Sequence, residues 1–382
     1  MSRSNETAKP AAPLTAPASA GPSPLCETMS DENQDEAEIK KDHGVLYVGI
    51  DLGTSRTSVS ASNGVRETIE SFVGYPKDPV ARKLLKKDVL FGREARDKRL
   101  SLNLHRPLEH GVLKFNADGS EDAEARRAAM DLVKEIVHLS KPRKDELVYA
   151  VIGVPAQAQI NNKDAILQAA RESVDSVMLC SEPFSVAYGL DMLEDVLVID
   201  IGAGTVDLCR MHGTMPEESD QITMNTAGDF VDDELGKEIA AAFPEAQFTK
   251  QMVKEIKERY STVDVATEPV LVQLPVNGKP TDFDITEQMR TACQRIVPPI
   301  VEGLGKLVGS FDPEFQEKLK SRVLLAGGGS QIKGLDRAIT AKMHEMLGGG
   351  NVIRIEEPIY GGANGALKIA HDMPEEYWEQ LK

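Results

Sequence analysis

Cysteine is scarce in this chain of 382 residues: Cys26, Cys180, Cys209 and Cys293 lie far apart, with no C-x-x-C spacing and no accompanying histidine cluster. That excludes both a zinc site and a disulfide framework, and fits a reducing compartment. No run of about 18 apolar residues is long enough to span a bilayer. No basic n-region followed by an apolar stretch opens the chain, so it is expected to stay in the cytoplasm. Positive charge is short as well, 44 Lys and Arg against 61 Asp and Glu for a net −17, which disfavours nucleic acid and anionic lipid as partners. The pairs Arg82-Lys83 and Lys86-Lys87 are separated by Leu84 and Leu85 and read as a solvated helix face, not a phosphate track. G-x-x-x-x-G-K-[ST], H-E-x-x-H, G-x-S-x-G and G-x-G-x-x-G are all missing. This removes the P-loop, metalloprotease, hydrolase-elbow and dinucleotide readings.

What is present is ordinary globular composition, 41% hydrophobic and 5% aromatic, in a chain longer than one typical domain, so two lobes are expected. Residues 1–41 are rich in Pro, Ala and Ser and then in acids (Asp31, Glu32, Asp35, Glu36, Glu38). Such a composition cannot bury enough apolar surface to offset chain entropy, and the segment is predicted to be disordered. The run Val45 to Ile50, ending in Asp51 and Gly53, reads as a buried strand, and similar runs recur at Val148 to Val154, Val196 to Ile201 and Val323 to Ala326. Helical patterns fall around 122–138, 162–173, 232–242, 251–260, 334–346 and 362–371, and Glu182-Pro183 opens a further helix. The alternation predicts an α/β fold with layered sheets and helices.

An internal near-repeat carries most of the chemical information. Val48-Gly-Ile-Asp51-Leu-Gly53-Thr54 and Val198-Ile-Asp200-Ile-Gly202-Ala203-Gly204-Thr205 share a strand, an aspartate, an apolar residue, a glycine and a threonine, about 150 residues apart. Two copies at so long a period argue for a duplicated domain with a cleft between the halves. Each copy puts an acid at a strand end, followed by a Gly/Thr/Ser turn whose backbone N–H groups and hydroxyls can receive a phosphate. One aspartate per lobe, Asp51 and Asp200, suffices chemically to hold a hydrated Mg²⁺, which keeps most of its waters. Gly327-Gly328-Gly329-Ser330, after a third apolar run, is either a tight turn or a seat on which a nucleoside lies against backbone.

These segments resemble the actin/Hsp70/sugar-kinase superfamily. Asp51-Leu-Gly53-Thr54-Ser55 is similar to its first phosphate loop, Asp200-Ile-Gly-Ala-Gly-Thr-Val-Asp207 to its second, and Leu325-Ala-Gly-Gly-Gly-Ser330 to its adenosine motif. Val151-Ile-Gly-Val-Pro155 matches its first connecting segment, and Tyr360-Gly-Gly-Ala-Asn-Gly-Ala366 its closing helix, all in family order. Gly74-Tyr-Pro-Lys-Asp78, Ala150 to Ala156 and Ser181-Glu-Pro-Phe184 further resemble the bacterial actins that organise magnetosomes. The resemblance implies a duplicated, ribonuclease H-like two-lobe ATPase fold with four subdomains. The first lobe would span 42–198 with an inserted subdomain at about 75–111, the second 199–354 with one at about 234–296, and residues 355–382 would return to the first lobe. It implies that Glu182 positions the water attacking the γ-phosphate, with Asp200 as its catalytic partner, and that Asp51 and Asp200 serve the magnesium of Mg-ATP. Arg56 would join the first phosphate loop, and Glu234, Lys254 and Lys257 would lie near the nucleoside. Two departures stand out: Ala203 replaces a glycine of the second loop, and Lys254 stands where Hsp70 relatives carry an acid.

Three functions share such a site: a filament protein whose ATP state controls assembly, an Hsp70-type chaperone, and a small-molecule kinase. A chaperone would need a substrate domain after the ATPase, and only about a dozen residues follow the last expected helix. A kinase would need a second substrate pocket and a base other than Glu182. The expectation is therefore a self-assembling cytoskeletal ATPase, with a plasmid-segregation actin or a chaperone-type ATPase as the alternative. The resemblance also implies adaptor proteins on magnetosome membranes as partners. The C-terminal Met373 to Lys382 is acidic and short, unlike a basic amphipathic membrane helix, so no direct membrane insertion is expected. Met29-Ser-Asp-Glu-Asn begins a short acidic leader of the kind expected directly before a first strand. Protein starting at Met29 should fold and assemble as the full chain does, checked by circular dichroism and sedimentation.

Overall fold

The computed structural model describes residues 44–114, 122–265 and 268–381, and from His43 onward the chain is one compact unit. Cys26 and the disorder expected over residues 1–41 lie outside the described residues. Two five-stranded sheets organise the molecule. The first contains β1 (Val45–Leu52), β2 (Arg56–Ala61), β3 (Arg66–Glu70), β4 (Leu147–Val154) and β5 (Ser176–Ser181), in the order β5-β4-β1-β2-β3. The second contains β6 (Val196–Ile201), β7 (Val206–Met211), β8 (Gln221–Met224), β9 (Val323–Ala326) and β10 (Val352–Arg354), in the order β8-β7-β6-β9-β10.

The sheets repeat one topology. Each central strand pairs antiparallel with the strand that follows it through a tight turn, and parallel with a strand that returns after helices. The register carries the repeat down to single residues: Asp51 stands opposite Ser58 on β2 and Gly153 on β4, and Asp200 opposite Asp207 on β7 and Ala326 on β9.

Why these strands read as nearly continuous apolar runs is explained by burial on both faces. Leu46, Val48 and Ile50 of β1 pack outward with Leu132, Ile136 and Ile166 of the helices Ala123–Leu139 and Ile160–Arg171. Leu197, Ile199 and Ile201 of β6 likewise join Val231, Leu235, Ile300 and Ile339. The alternate residues, Tyr149 and Val151 on β4 and Val196 and Val198 on β6, turn inward to a third cluster shared by both sheets. Two helices occupy that inner layer, Glu182–Gly189 and Gly361–Asp372. They touch so closely that a Cβ added at Gly365 would lie 1.7 Å from the Ser185 carbonyl oxygen, which leaves room for glycine alone.

Local chemistry sets the element ends. Asp122 caps the helix Ala123–Leu139 by accepting from the Glu124 and Ala125 N–H groups, and Glu182-Pro183 starts its helix as the sequence predicts. Arg82, Lys83, Lys86 and Lys87 are exposed on and just beyond the short helix Pro79–Leu85. The helices Thr286–Gln294, Val297–Gly309 and Pro313–Ser321 escaped the sequence pattern, as did the short helices Gly92–Asp97 and Glu375–Gln380. The second opens on Pro298-Pro299, which reads as a breaker but falls in the first turn, where no intrahelical N–H is needed. The hairpin Leu271–Val276 with Lys279–Asp284 turns on Asn277-Gly278, both at positive φ, the pair a two-residue type I′ turn favours.

The C-terminal segment, acidic by composition, closes the base of the inner layer. Glu375, Glu376 and Glu379 face solvent while Trp378 turns fully inside, stacked on Tyr149 with ring centroids 5.0 Å apart. Its indole Nε1 donates to the Ala370 carbonyl at 3.3 Å, and the Ser176 hydroxyl donates to the Trp378 carbonyl at 3.1 Å. Trp378→Ala should therefore cost about 3–5 kcal/mol, the range for deleting a buried large aromatic. Urea unfolding followed by far-UV circular dichroism checks this; an effect below about 1 kcal/mol would show that the segment is only loosely attached.

Candidate functional site

The turn from Gly53 to Arg56 joins β1 to β2, and that from Gly202 to Thr205 joins β6 to β7, so both repeats end in hairpin turns at the same edge of their sheets. In the second, the Gly202 N–H donates to the Thr205 carbonyl at 2.9 Å. A cavity of about 350 Å³ opens between the turns. Asp51, Gly53, Thr54, Ser55 and Arg56 line one side of it, and Asp200, Gly202, Ala203, Gly204 and Thr205 the other. Glu182 enters from the first turn of the inner-layer helix.

Beyond β9, Gly327 takes φ 77° and passes so close to Asp200 that a Cβ would sit 2.3 Å from its Oδ1. Gly327, Gly328 and Gly329 line the cavity, whereas Ser330 lies buried beneath them and uses its hydroxyl to hold the turn, donating to the Gly327 carbonyl at 2.7 Å. Lys254 and Lys257 reach the cavity from one face of the helix Lys250–Tyr260. Lys257 bonds the Gly228 carbonyl and Asp232, each at 2.8 Å, and Lys254 crosses the cavity to the Ser55 hydroxyl. Glu234 stands apart: it pairs with Lys237 at 2.6 Å and with Arg295, and does not line the cavity. All the sequence candidates except Glu234 and Ser330 thus converge on one space.

Four acids crowd its inner end. Burial raises Asp51 to about 7, helped by the charge of Asp207, and burial followed by repulsion from Asp51 and Asp207 lifts Asp200 well above the carboxylate range. Glu182 is raised by burial and then by Asp207, Asp51 and Asp200. Asp207 is raised by its own burial against the pull of three hydrogen bonds, among them those from the Thr223 hydroxyl at 2.6 Å and the Ala156 N–H at 2.9 Å. Among the described residues, no lysine or arginine pairs with any of the four.

A family model for MreB/Mbl proteins matches residues 46–376. The chain belongs to the MreB/Mbl family of actin-like proteins. The actin-like protein MamK of Paramagnetospirillum magneticum is 39% identical over 336 residues, covering 88% of this chain and 95% of that protein. A solved MamK double helical filament superposes with a TM-score of 0.83 at 38% identity, over 87% of this chain and 100% of that one. A non-polymerising MamK mutant bound to AMPPNP gives 0.66 at 37% identity, over 86% and 99%. The actin-like, two-sheet α/β fold expected from the sequence is therefore the fold found.

For this MreB/Mbl member, the sequence reading left out Asp207 as a site residue, although it ends the second loop motif; its signal was the register that sets it opposite Asp200. Asp207 itself lies behind the cavity lining, whereas Glu258 and Ser261 line the cavity and lie four residues after Lys254 and Lys257, so helical spacing could have found them. Ile296 and Ile332 come from separate segments with no local signal. Among the described residues, no three acids, histidines or cysteines are arranged to chelate a metal directly. Yet buried, mutually repelling carboxylates, with Asp207 Oδ2 left without a hydrogen-bond partner, fit a hydrated divalent cation held through its waters and a phosphate.

The acid cluster sets a pH dependence. Because the folded state holds the Asp51 proton up to about 7 while the unfolded chain loses it near 4, the folded state binds more protons in between. The Asp51 contribution to stability should fall as pH rises from about 4 to 7 and change little above. Asp51→Asn should then melt higher than the wild type at pH 8 without ligand, by an amount equivalent to about 1–4 kcal/mol, and by little at pH 4. Differential scanning calorimetry at both pH values reads the difference; an equal shift at both would refute the assignment.

Proposed function

We propose that this protein is a Mg-ATP-dependent actin that assembles into cytoskeletal filaments and hydrolyses ATP in the cavity between its two sheets. The observation that carries this reading is the pairing of Asp51 and Asp200 at equivalent strand ends on opposite sides of one cavity. The solved filament of its MamK relative supports the assembly half of the proposal, and the AMPPNP-bound MamK mutant the nucleotide half. In this reading the lobes run over 42–198 and 199–354, residues 355–382 return to the first, and nucleotide draws the lobes together.

Thr54, Ser55, Gly202, Ala203, Gly204 and Thr205 would receive the phosphates with N–H groups and hydroxyls, and Gly327 to Gly329 would let the nucleoside lie on backbone. Lys254, Lys257, Glu258 and Ser261 would flank the nucleoside. Asp51 and Asp200 would hold magnesium, which when bound neutralises phosphate charge and the repulsion among the acids. Glu182 orients the attacking water and takes up its proton as the new oxygen–phosphorus bond forms and the bond to the β-phosphate oxygen breaks. Its raised affinity for a proton suits that task. The filaments are expected to lie in the cytoplasm alongside magnetosome membranes, attached through adaptor proteins; among the described residues no helix is long and apolar enough to cross a membrane.

Assembly and hydrolysis separate in this scheme, because the turns and the metal set the closed arrangement while Glu182 acts on the reaction barrier. Glu182→Gln should lower ATP turnover about 10²-fold or more, the range for a positioned general base. Filaments should still pellet with Mg-ATP and disassemble more slowly. Ultracentrifugation and phosphate release on one sample read both properties; filaments lost together with turnover, or turnover left intact, would each sink the scheme.

A further inference from the structure

Arg106 follows the strand Leu102–His105 and is absent from the cavity lining, yet it touches both sides of it. Its Nε donates to the Thr54 carbonyl of the first turn at 2.8 Å. Its Nη2 meets both oxygens of the Asp229 carboxylate, at 2.8 and 3.2 Å. Asp229 belongs to the first turn of the helix Gly228–Ala242, and its own N–H donates to the Ala203 carbonyl of the second turn at 2.7 Å. One continuous path therefore runs Thr54, Arg106, Asp229, Ala203, from one phosphate turn to the other.

The residues just after Arg106 repeat the connection. The Gly111 N–H donates to the Thr54 hydroxyl oxygen at 2.6 Å, and His110 Nδ1 lies 3.0 Å from the Gly204 carbonyl. The turns meet so tightly there that a Cβ on Gly204 would sit 2.5 Å from Thr54 Oγ1 and 2.8 Å from the His110 Cα. Thr54 is thus held at both its carbonyl and its hydroxyl by one segment, and that segment is anchored to the opposite turn.

We propose that Arg106 is a positioning residue for the nucleotide site: its guanidinium latches the first phosphate turn to Asp229, so that a bound triphosphate is released only after the Arg106–Asp229 pair opens. The inference rests on the reading that Mg-ATP occupies this cavity. A guanidinium suits the task because its planar fork serves a carbonyl and a carboxylate at once, whereas a lysine ammonium, a point charge on a flexible stem, loses that fixed geometry. The side chains are 24% and 21% exposed, so the pair adds little to the stability of the folded chain. Its effect falls on the equilibrium between a closed and an opened cavity.

The test uses the full chain with a fluorescent ATP analogue and magnesium, following release after a chase with excess ATP. Arg106→Ala and Asp229→Asn should each speed release about tenfold, and the double variant no more than either alone, since both remove one link. Arg106→Lys should fall between. Melting of the ligand-free variants, read by circular dichroism, should stay within a few degrees of the wild type. Release at the wild-type rate in the single variants, or effects that multiply in the double, overturns the latch while leaving the nucleotide reading standing. Wild-type protein that binds no analogue sinks both. Should Arg106→Ala fail to fold, Asp229→Asn, which keeps the shape and removes the charge, decides the matter against Arg106→Lys.

Discussion

Charge repulsion at the junction of the two sheets is the constraint around which this molecule is built. Asp51, Glu182, Asp200 and Asp207 are buried together, and their mutual repulsion adds to a burial penalty that already resists ionisation. A fold optimised for stability alone would not place them there. A divalent cation, as the proposed Mg-ATP reading supplies, would offset that repulsion and favour their ionised forms, which would tie the pH behaviour of the protein to its ligand state.

The duplicated topology is what brings the acids together. Each sheet ends its central strand in an aspartate, and the inner-layer helices set those ends facing one another across a shared cavity. The close contact of Gly365 with the Ser185 carbonyl helps to hold the helix that begins at Glu182 in its place. Equivalence is incomplete where chemistry differs: the position opposite Asp51 is Ser58, while the position opposite Asp200 is Asp207. The second sheet therefore contributes two carboxyl groups to the cluster where the first contributes one.

Contacts around the cavity come from a different class of residue. Arg106 with Asp229, Lys254 with the Ser55 hydroxyl of the first turn and His110 with the Gly204 carbonyl of the second all use side chains that composition would assign to solvent. They are partly exposed and individually weak for folding. In the proposed latch, the Arg106–Asp229 contact would be broken as the cavity opens, so its effect would fall on that opening and not on folding.

The sequence by itself determined the four parallel-paired strands β1, β4, β6 and β9, the two aspartates and the glycine turns. A buried strand must be an apolar run, and a turn that receives phosphate needs small residues beside an acid, so both leave local traces. The helix beginning at Glu182-Pro183 was legible for the same reason, since the cap chemistry is local. The helix opened by Pro298-Pro299 was hidden by a local signal that pointed the other way. Tertiary structure alone decided that Glu234 turns to Lys237 and Arg295 instead of the cavity, and that Ser330 is used beneath its own turn. It also decided that Trp378 is core within an acidic tail, that Ile296 and Ile332 share a wall, and that Arg106 finds Thr54 and Asp229. Most of those outcomes depend on which face of an element meets which partner from another segment, and burial and pairing between separate segments leave no periodicity in the chain.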